Sequence, residues 1–479
     1  MNYRATLRTI GFILVFVAAS MLLSVGVALI YGDGDALGIF AAAAVTTLTG
    51  LAFIWFNRKH RDLDIREGFA VVTFGWLSIS LAGMLPFLFT GAIPSITNAF
   101  FESASGFTTT GASILTEIEG LPHGVLFWRS FTHWIGGMGI IVFSIAILPF
   151  LGVGGMQMFK AESPGPTADK LTPRIRGTAE ILWVVYVILT AAEIGLLMLG
   201  GMDWFDSACH AFGTMATGGF STKNASIGHY QSAYFDWVIT LFMFIAGVNF
   251  SLHYYAMRGQ IKRYWQSVEF RFFLGVMVIA SLIITGFRLL DGLPFTLALR
   301  EAAFQTVSIG TTTGYATADF ELWHYFPQIL LVALMLMGGM AGSTGGGMKA
   351  VRVMILFKQA RIELHRLIHP NTIYKIRMGR KVLSANIVQN VLAFFLLYAL
   401  LFATGTFALA LLGVDHMTSM IGTIACLSNI GPGLGEVGPA ENYAHMPVLA
   451  KWILSFLMIA GRLELYTVLV LLTKTYWER

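Results

Sequence analysis

Charge is what this chain has least of. Only 12% of its 479 residues are Asp, Glu, Lys or Arg, whereas 56% are hydrophobic, and the mean hydropathy is +0.71. That is too little polar surface to cover a soluble globule of this size, so the chain reads as a polytopic membrane protein. Cysteine is nearly absent: Cys209 and Cys426 provide no extracellular pair framework, and both are expected to be small buried thiols. His365 and His369 stand four apart without an HExxH pattern or a nearby Cys, which leaves a zinc site unsupported. No convergent nucleophile, base or metal set is found, so an enzyme is not expected. Nor is there a soluble nucleotide-binding domain, and any control by nucleotide must come from another chain. The first apolar run reaches about Ile30 with no small-residue cleavage site after it, and reads as a retained helix.

What the chain does have is apolar runs. Ten are long enough to cross a bilayer, which takes about 20 residues, and four more are shorter. The net charge of +5 does not call for nucleic acid, because 24 of the 31 basic residues cluster in alternate loops. Arg58, Lys59, Arg61 and Arg66 form one such group, and eight residues from Arg352 to Lys381 form another. By the positive-inside rule these loops are cytoplasmic, and so are both termini. The intervening loops, including those with Asp33, Asp35, Glu117 and Glu119, are poor in Lys and Arg.

Four of the segments end alike: Thr108 to Ala112 (TTTGA), Ala216 to Phe220 (ATGGF), Thr311 to Tyr315 (TTTGY) and Ser428 to Pro432 (SNIGP). Aligned on the fourth residue, they bring Gly111, Gly219, Gly314 and Gly431 into register, 108, 95 and 117 residues apart. A unit of roughly a hundred residues therefore recurs four times. Glycine at one place in four loops points to a backbone that reaches φ > 0 or turns its carbonyls inward. Four such loops around one axis can replace the water shell of a cation. The candidate binding set is thus Thr108, Thr109, Thr110 and Gly111; Ala216, Thr217, Gly218 and Gly219; Thr311, Thr312, Thr313 and Gly314; and Ser428, Asn429, Ile430 and Gly431. Four packing turns at small residues would leave the Thr and Ser hydroxyls without a use in an apolar bundle.

Each unit reads as a long apolar helix, a half-length helix, the glycine loop and a second long helix; in the first unit these fall at about 68–91, 95–107, 108–113 and 122–150. A half-helix enters and returns on one side, and its C-terminal, partly negative end faces the loop. Asn98, Asp206, Glu301 and Thr418, thirteen residues before each register glycine, can cap or start these helices. Glu102, His210 and Gln305, nine before it, are expected to brace the loops by hydrogen bonds. The resulting fold class is all-α and polytopic. A two-helix preface (1–67) precedes four pseudo-repeats around a central pore: 68–160, 161–265, 266–381 and 382–479.

In the third unit's second helix, six glycines fall in ten residues: Gly338, Gly339, Gly342, Gly345, Gly346 and Gly347, with Ser343 and Thr344 between them and Lys349 just after. At roughly 1 kcal/mol per glycine relative to alanine the helix is expected to break there, as a gate below the loops. A phosphate-cradling loop lacks the GK[ST] ending, and close helix packing needs glycines at spacing four. Arg462, in the last apolar run, either faces the pore near this break or snorkels to the cytoplasmic end. Glu464, two residues on, is not on its helix face. The Arg352–Lys381 segment is a docking surface or a solvated connector. Glu193 and Glu464 are the main membrane-depth acids that a coupled transporter could use.

On SGFTTTGA, WIGGMGIIV, ILPFLGVGGMQ, GGFST, AGSTGGGMK, LSNIGPGLG and AGRLE, the chain resembles the Trk/Ktr/HKT superfamily of potassium transporters over essentially its full length. The resemblance implies K+ bound at the four glycine loops, gating by Gly338 to Gly347, and a gate-facing Arg462. It also implies a homodimer in the bacterial inner membrane, with a cytosolic TrkA-like nucleotide-binding regulatory protein carrying ATP or NAD. Gly111, where some relatives have serine, favours potassium over sodium. The alternative is a K+ symporter coupled to H+ or Na+. Asn429 and Ile430 depart from the Thr-Gly pattern, so the filter is not expected to be four-fold symmetric.

Overall fold

The computed structural model describes residues 2–60, 63–139, 175–371, 375–379 and 381–478. Six helices are long and apolar enough to span a membrane among these residues, and two bent pairs pass the same test. The chain is a multi-pass membrane protein. Large apolar side chains such as Leu29, Leu199, Ile279 and Phe407 are exposed on its outside, as lipid contact requires.

Helices α1 (Tyr3–Tyr31) and α2 (Ala36–Phe56) form an antiparallel pair. Small residues set their approach: Gly11 lies against the Gly50 carbonyl and Gly50 against that of Gly11, so a Cβ at either would meet backbone oxygen. The loop between them docks on the rest of the chain through its acids. Asp33 Oδ2 accepts from the His123 N–H at 2.7 Å, and Asp35 Oδ2 from the Val125 N–H at 3.0 Å. Both anions sit at the N-terminus of α6 (His123–Trp134), where a helix favours negative charge. These His123 contacts hold the Asp33 carboxyl below its usual range.

Four half-helices follow the expected order. With α3 (Ile65–Gly83), α4 (Leu85–Phe89), α7 (Ile175–Leu199), α12 (Val268–Leu290) and α16 (Ala385–Leu411) leading in, they are α5 (Ile96–Phe107), α8 (Trp204–Met215), α13 (Phe295–Gly310) and α17 (His416–Leu427). The caps differ from expectation. Ser95, Asp203 and Asp415 are the N-caps, each accepting from the N–H three residues on, so Asn98, Asp206 and Thr418 sit inside the first turn. Pro294 precedes α13, placing Glu301 deeper still. These polar residues instead tie the half-helices to neighbours: Asn98 accepts from Lys451 Nζ (2.8 Å), Asp206 pairs with Lys223 (3.1 Å), Glu301 with Arg288 (2.9 Å), and Thr418 Oγ1 accepts from the Glu436 N–H (2.9 Å).

A helix break was expected only in the third unit, between α14 (Tyr325–Met337) and α15 (Ala350–Ile368). The second helices of the second and fourth units are interrupted too. The chain bends by 104° between α9 (Ala233–Ala246) and α10 (Phe250–Met257), which the short α11 (Lys262–Gln266) follows, and by 112° after α18 (Val448–Arg462). In the first unit α6 passes into a π-helical turn, Ile135–Gly139. The expected continuation of that helix to residue 150, the ILPFLGVGGMQ motif and the basic residues Lys160, Lys170 and Arg174 lie outside the described residues. The basic segment after Arg352 is helical to Ile368 and then turns through a two-strand hairpin, β1 (Arg377–Met378) and β2 (Lys381–Val382).

Candidate functional site

Each half-helix ends in the same hydrogen-bonded turn. The Thr109 N–H donates to the Gly106 carbonyl and the Thr110 N–H to that of Ser105; Thr217 and Gly218 repeat this on Thr214 and Gly213, Thr312 and Thr313 on Ile309 and Ser308, Asn429 and Ile430 on Cys426 and Ala425. This double closure is the Schellman motif, which needs a left-handed residue just past the helix. That residue is Thr109, Thr217, Thr312 or Asn429, at φ 52, 54, 64 and 57°. Left-handed backbone returns two residues later at Gly111, Gly219, Gly314 and Gly431, with φ from 81 to 91°. The sequence reading assigned such backbone to the glycines alone. Threonine there is a real outlier that no residue pattern signals, sustained because the surroundings over-determine it.

The four loops close into a ring. A Cβ on Gly111 would collide with the Gly218 carbonyl oxygen, one on Gly219 with that of Thr313, and one on Gly314 with that of Ile430. A Cβ on Gly431 would return to the first loop, 2.7 Å from the Thr110 oxygen. Each register glycine therefore packs on the carbonyl just before the next one, around one axis. A cavity of about 130 Å³ opens above it, lined by all four glycines together with Ser113, Asn224, Glu441 and Tyr443. Asn429, the departure from the Thr-Gly pattern, closes the seam by donating to Thr110 Oγ1 (3.0 Å) and the Met458 carbonyl (2.9 Å).

Behind the ring, buried polar side chains hold the loop exits. Glu102 Oε1 accepts from Arg129 Nε at 2.7 Å and from Ser113 Oγ at 2.9 Å, while Oε2 takes the Ile114 N–H at 2.9 Å. Arg129 also donates to the Ser221 carbonyl (2.8 Å) and stacks over Phe220 at 3.6 Å, so one buried ion pair secures two loops. His210 Nε2 meets Ser221 Oγ at 2.9 Å, and Gln305 Nε2 donates to the Ala318 carbonyl at 3.2 Å. Arg129 itself escaped the sequence reading; its position inside an apolar helix was the available signal.

Gly338 to Gly347 form the floor of the ring. Gly345 lies against the Thr311 carbonyl and Gly346 against that of Ser428, so a Cβ at either would strike the backbone of the third or fourth loop. The Gly346 N–H donates to Thr312 Oγ1 (2.6 Å), and Thr344 Oγ1 donates between the Met215 (3.0 Å) and Ala246 (3.1 Å) carbonyls. Ser343 Oγ closes on the Met340 carbonyl (2.6 Å), and Lys349 Nζ on that of Gly345. Gly338, Gly342, Gly347 and Lys349 have positive φ, and Gly338 and Gly339 pack on the returning strand of the loop.

Arg462 reaches this floor from the last inner helix. Its Nη1 donates to the Thr344 carbonyl (2.7 Å), and Nη2 to Gly136 (2.8 Å) and Gly137 (2.9 Å) in the π turn. These bonds set the guanidinium against the glycine-rich break. Glu464, with φ 58°, lies in the 112° bend, pairs with Arg352 and thus holds α15 against the end of α18. Glu193 is brought to neither cluster's hydrogen bonds. It is fully buried in α7, with Thr214 as a polar neighbour and neither carboxylate oxygen in a well-formed hydrogen bond among the described residues. Cys209 and Cys426 are buried and unbridged.

Known proteins share this architecture. The chain is 44% identical over 486 residues to the Trk system potassium uptake protein TrkH of Salmonella typhimurium, covering all of both chains, and equally so to that of Escherichia coli K12. It superposes on the crystal structure of the potassium transporter TrkH from Vibrio parahaemolyticus with a TM-score of 0.90 at 40% identity, again over the whole of both chains. Residues 38–478 match the TrkH family, described as a cation transport protein, and the chain belongs to that family.

Proposed function

We propose that this chain takes up potassium through a channel-like pore whose filter is the four-loop ring and whose gate is the floor from Gly338 to Gly347. The observation that carries the reading is the closed cycle of glycine-to-carbonyl contacts at the C-terminal ends of four half-helices. Backbone oxygens at partly negative helix ends can substitute for water around a monovalent cation. K+ is the ion favoured by the names of the full-length relatives. In the proposed cycle a hydrated ion enters the outer cavity, sheds water at the glycines, and waits on a floor pinned by Arg462. Conduction follows when the Thr344 and π-turn contacts release.

Further parts of the reading are the bacterial inner membrane, with both termini inside, and a homodimer of such pores, one in each subunit. A cytosolic TrkA-like nucleotide-binding partner would dock on the basic face that includes Arg258, Arg263 and α15. The relatives' description as members of a Trk system supports more than one component. A second reading, K+ moving together with H+, is favoured by the buried carboxyl of Glu193, whose oxygens make no well-formed hydrogen bond among the described residues.

The test is flux from liposomes holding the purified chain, under K+, Rb+ and Na+ gradients with and without an imposed pH gradient. K+ and Rb+ flux that ignores the pH gradient is the expected result. Absence of K+ flux rejects the pore, and flux only with a proton gradient replaces it with the symporter.

A further inference from the structure

Around the ring, one register carbonyl is treated differently from the other three. Tyr443 Oη donates to the Gly431 carbonyl oxygen at 2.7 Å. Among the described residues, no side chain donates to the corresponding oxygens of Gly111, Gly219 or Gly314. Tyr315 offers the instructive contrast: its hydroxyl serves the second loop, yet it donates to the Phe220 carbonyl (3.2 Å), one residue past the register position.

Tyr443 is placed with care for this task. Its side chain is 2% exposed, its ring packs against Phe101 with centroids 5.4 Å apart, and its backbone N–H donates to the Ser113 carbonyl at 2.8 Å. The tyrosine is thereby fixed to the first loop's exit while its hydroxyl holds the fourth loop. It also lines the outer cavity beside Gly431 and Pro432. Gly431 has the largest φ of the four glycines, 91° against 81, 81 and 86°.

We infer that Tyr443 is a selectivity-positioning residue, whose hydroxyl tethers the Gly431 carbonyl and keeps the outermost ring from closing around a smaller ion. The inference rests on the pore reading above. A glycine carbonyl is restrained by no side chain of its own, and left-handed glycine backbone has wide freedom to turn. Tethered at one corner, the ring holds its span; untethered, that corner can follow a dehydrated Na+ inward. The asymmetry of the fourth loop then lies in what grips its carbonyl as well as in Asn429 and Ile430.

Tyr443→Phe removes only the hydroxyl and keeps the ring against Phe101 and the bond to Ser113. In full-length protein in liposomes, the K+ to Na+ flux ratio is expected to fall about fivefold, the scale of one neutral hydrogen bond, while K+ flux persists. Cation-dependent melting is a second measure that needs no flux. In the variant, the preference for K+ over Na+ in half-maximal stabilisation should shrink in the same direction. An unchanged ratio, or one that rises, overturns the inference. Loss of K+ flux in the unsubstituted chain would strike the pore reading itself, and the two failures are therefore separable.

Discussion

Arg462 donates to the Thr344 carbonyl at 2.7 Å, joining the last inner helix to the glycine-rich loop under the four-loop ring. With two further bonds to Gly136 and Gly137, the guanidinium holds three backbone oxygens from two different units. It is also a positive charge in the proposed cation path.

Arg462→Ala removes both the pin and the charge. Hydrogen bonds to charged groups are worth about 1.5–3 kcal/mol each, so even partial loss of three should shift the floor toward open. K+ flux is expected to rise tenfold or more in liposomes at matched protein content. Unchanged or lower flux would count against the floor as a gate.

Gly111→Ser meets two obstacles at once: φ of 81°, which side chains rarely adopt, and a Cβ in the Gly218 oxygen. The first and second loops must part, which loosens the carbonyl ring. The K+ to Na+ flux ratio is expected to fall about tenfold, on the scale of 1–3 kcal/mol of strain. An unaltered ratio in folded protein would reject this role.

Arg129 and Glu102 are 2% and 0% exposed, so removing either leaves the other's charge buried. Glu102→Gln and Arg129→Met should each cost about 3–5 kcal/mol, and the double variant less than the sum. Melting temperatures of the three variants in detergent check this; additive losses would mean that the pair does not act together.

Outside the membrane, Glu321 supplies a pH dependence. Burial lifts its carboxyl from 4.5 to about 6, the Gly435 N–H opposing this and the neighbouring Glu441 and Asp319 adding to it. A raised carboxyl favours the folded state when protonated. That stability is fully present below about 4.5 and is lost as pH rises through about 6. The melting temperature should therefore fall between pH 4.5 and 7, and Glu321→Gln should flatten the fall. An equal slope in the variant would reassign the effect.

The repeat, the membrane class and the breaking of the third inner helix were legible because each is written locally. Spans follow from apolar length, half-helices from shorter runs, and the register from four glycines at near-equal separations. Even the floor could be read, since clustered glycines weaken a helix wherever they occur.

Tertiary structure alone decided the remainder. Thr109, Thr217 and Thr312 take left-handed backbone against their own preference, because a Schellman turn and the adjoining loops leave them no other path. Arg129 finds Glu102 within its unit but reaches Ser221 across 92 residues, and Tyr443 finds Gly431 only after the chain has turned back outside the ring. Glu464, which the helix wheel sends away from Arg462, meets Arg352 because the helix bends just where the wheel assumes it continues. Sequence determined which segments could enter the membrane and where the four half-helices would turn. Which carbonyl faces which glycine depends on closing four loops around one axis, a condition no single stretch of sequence contains.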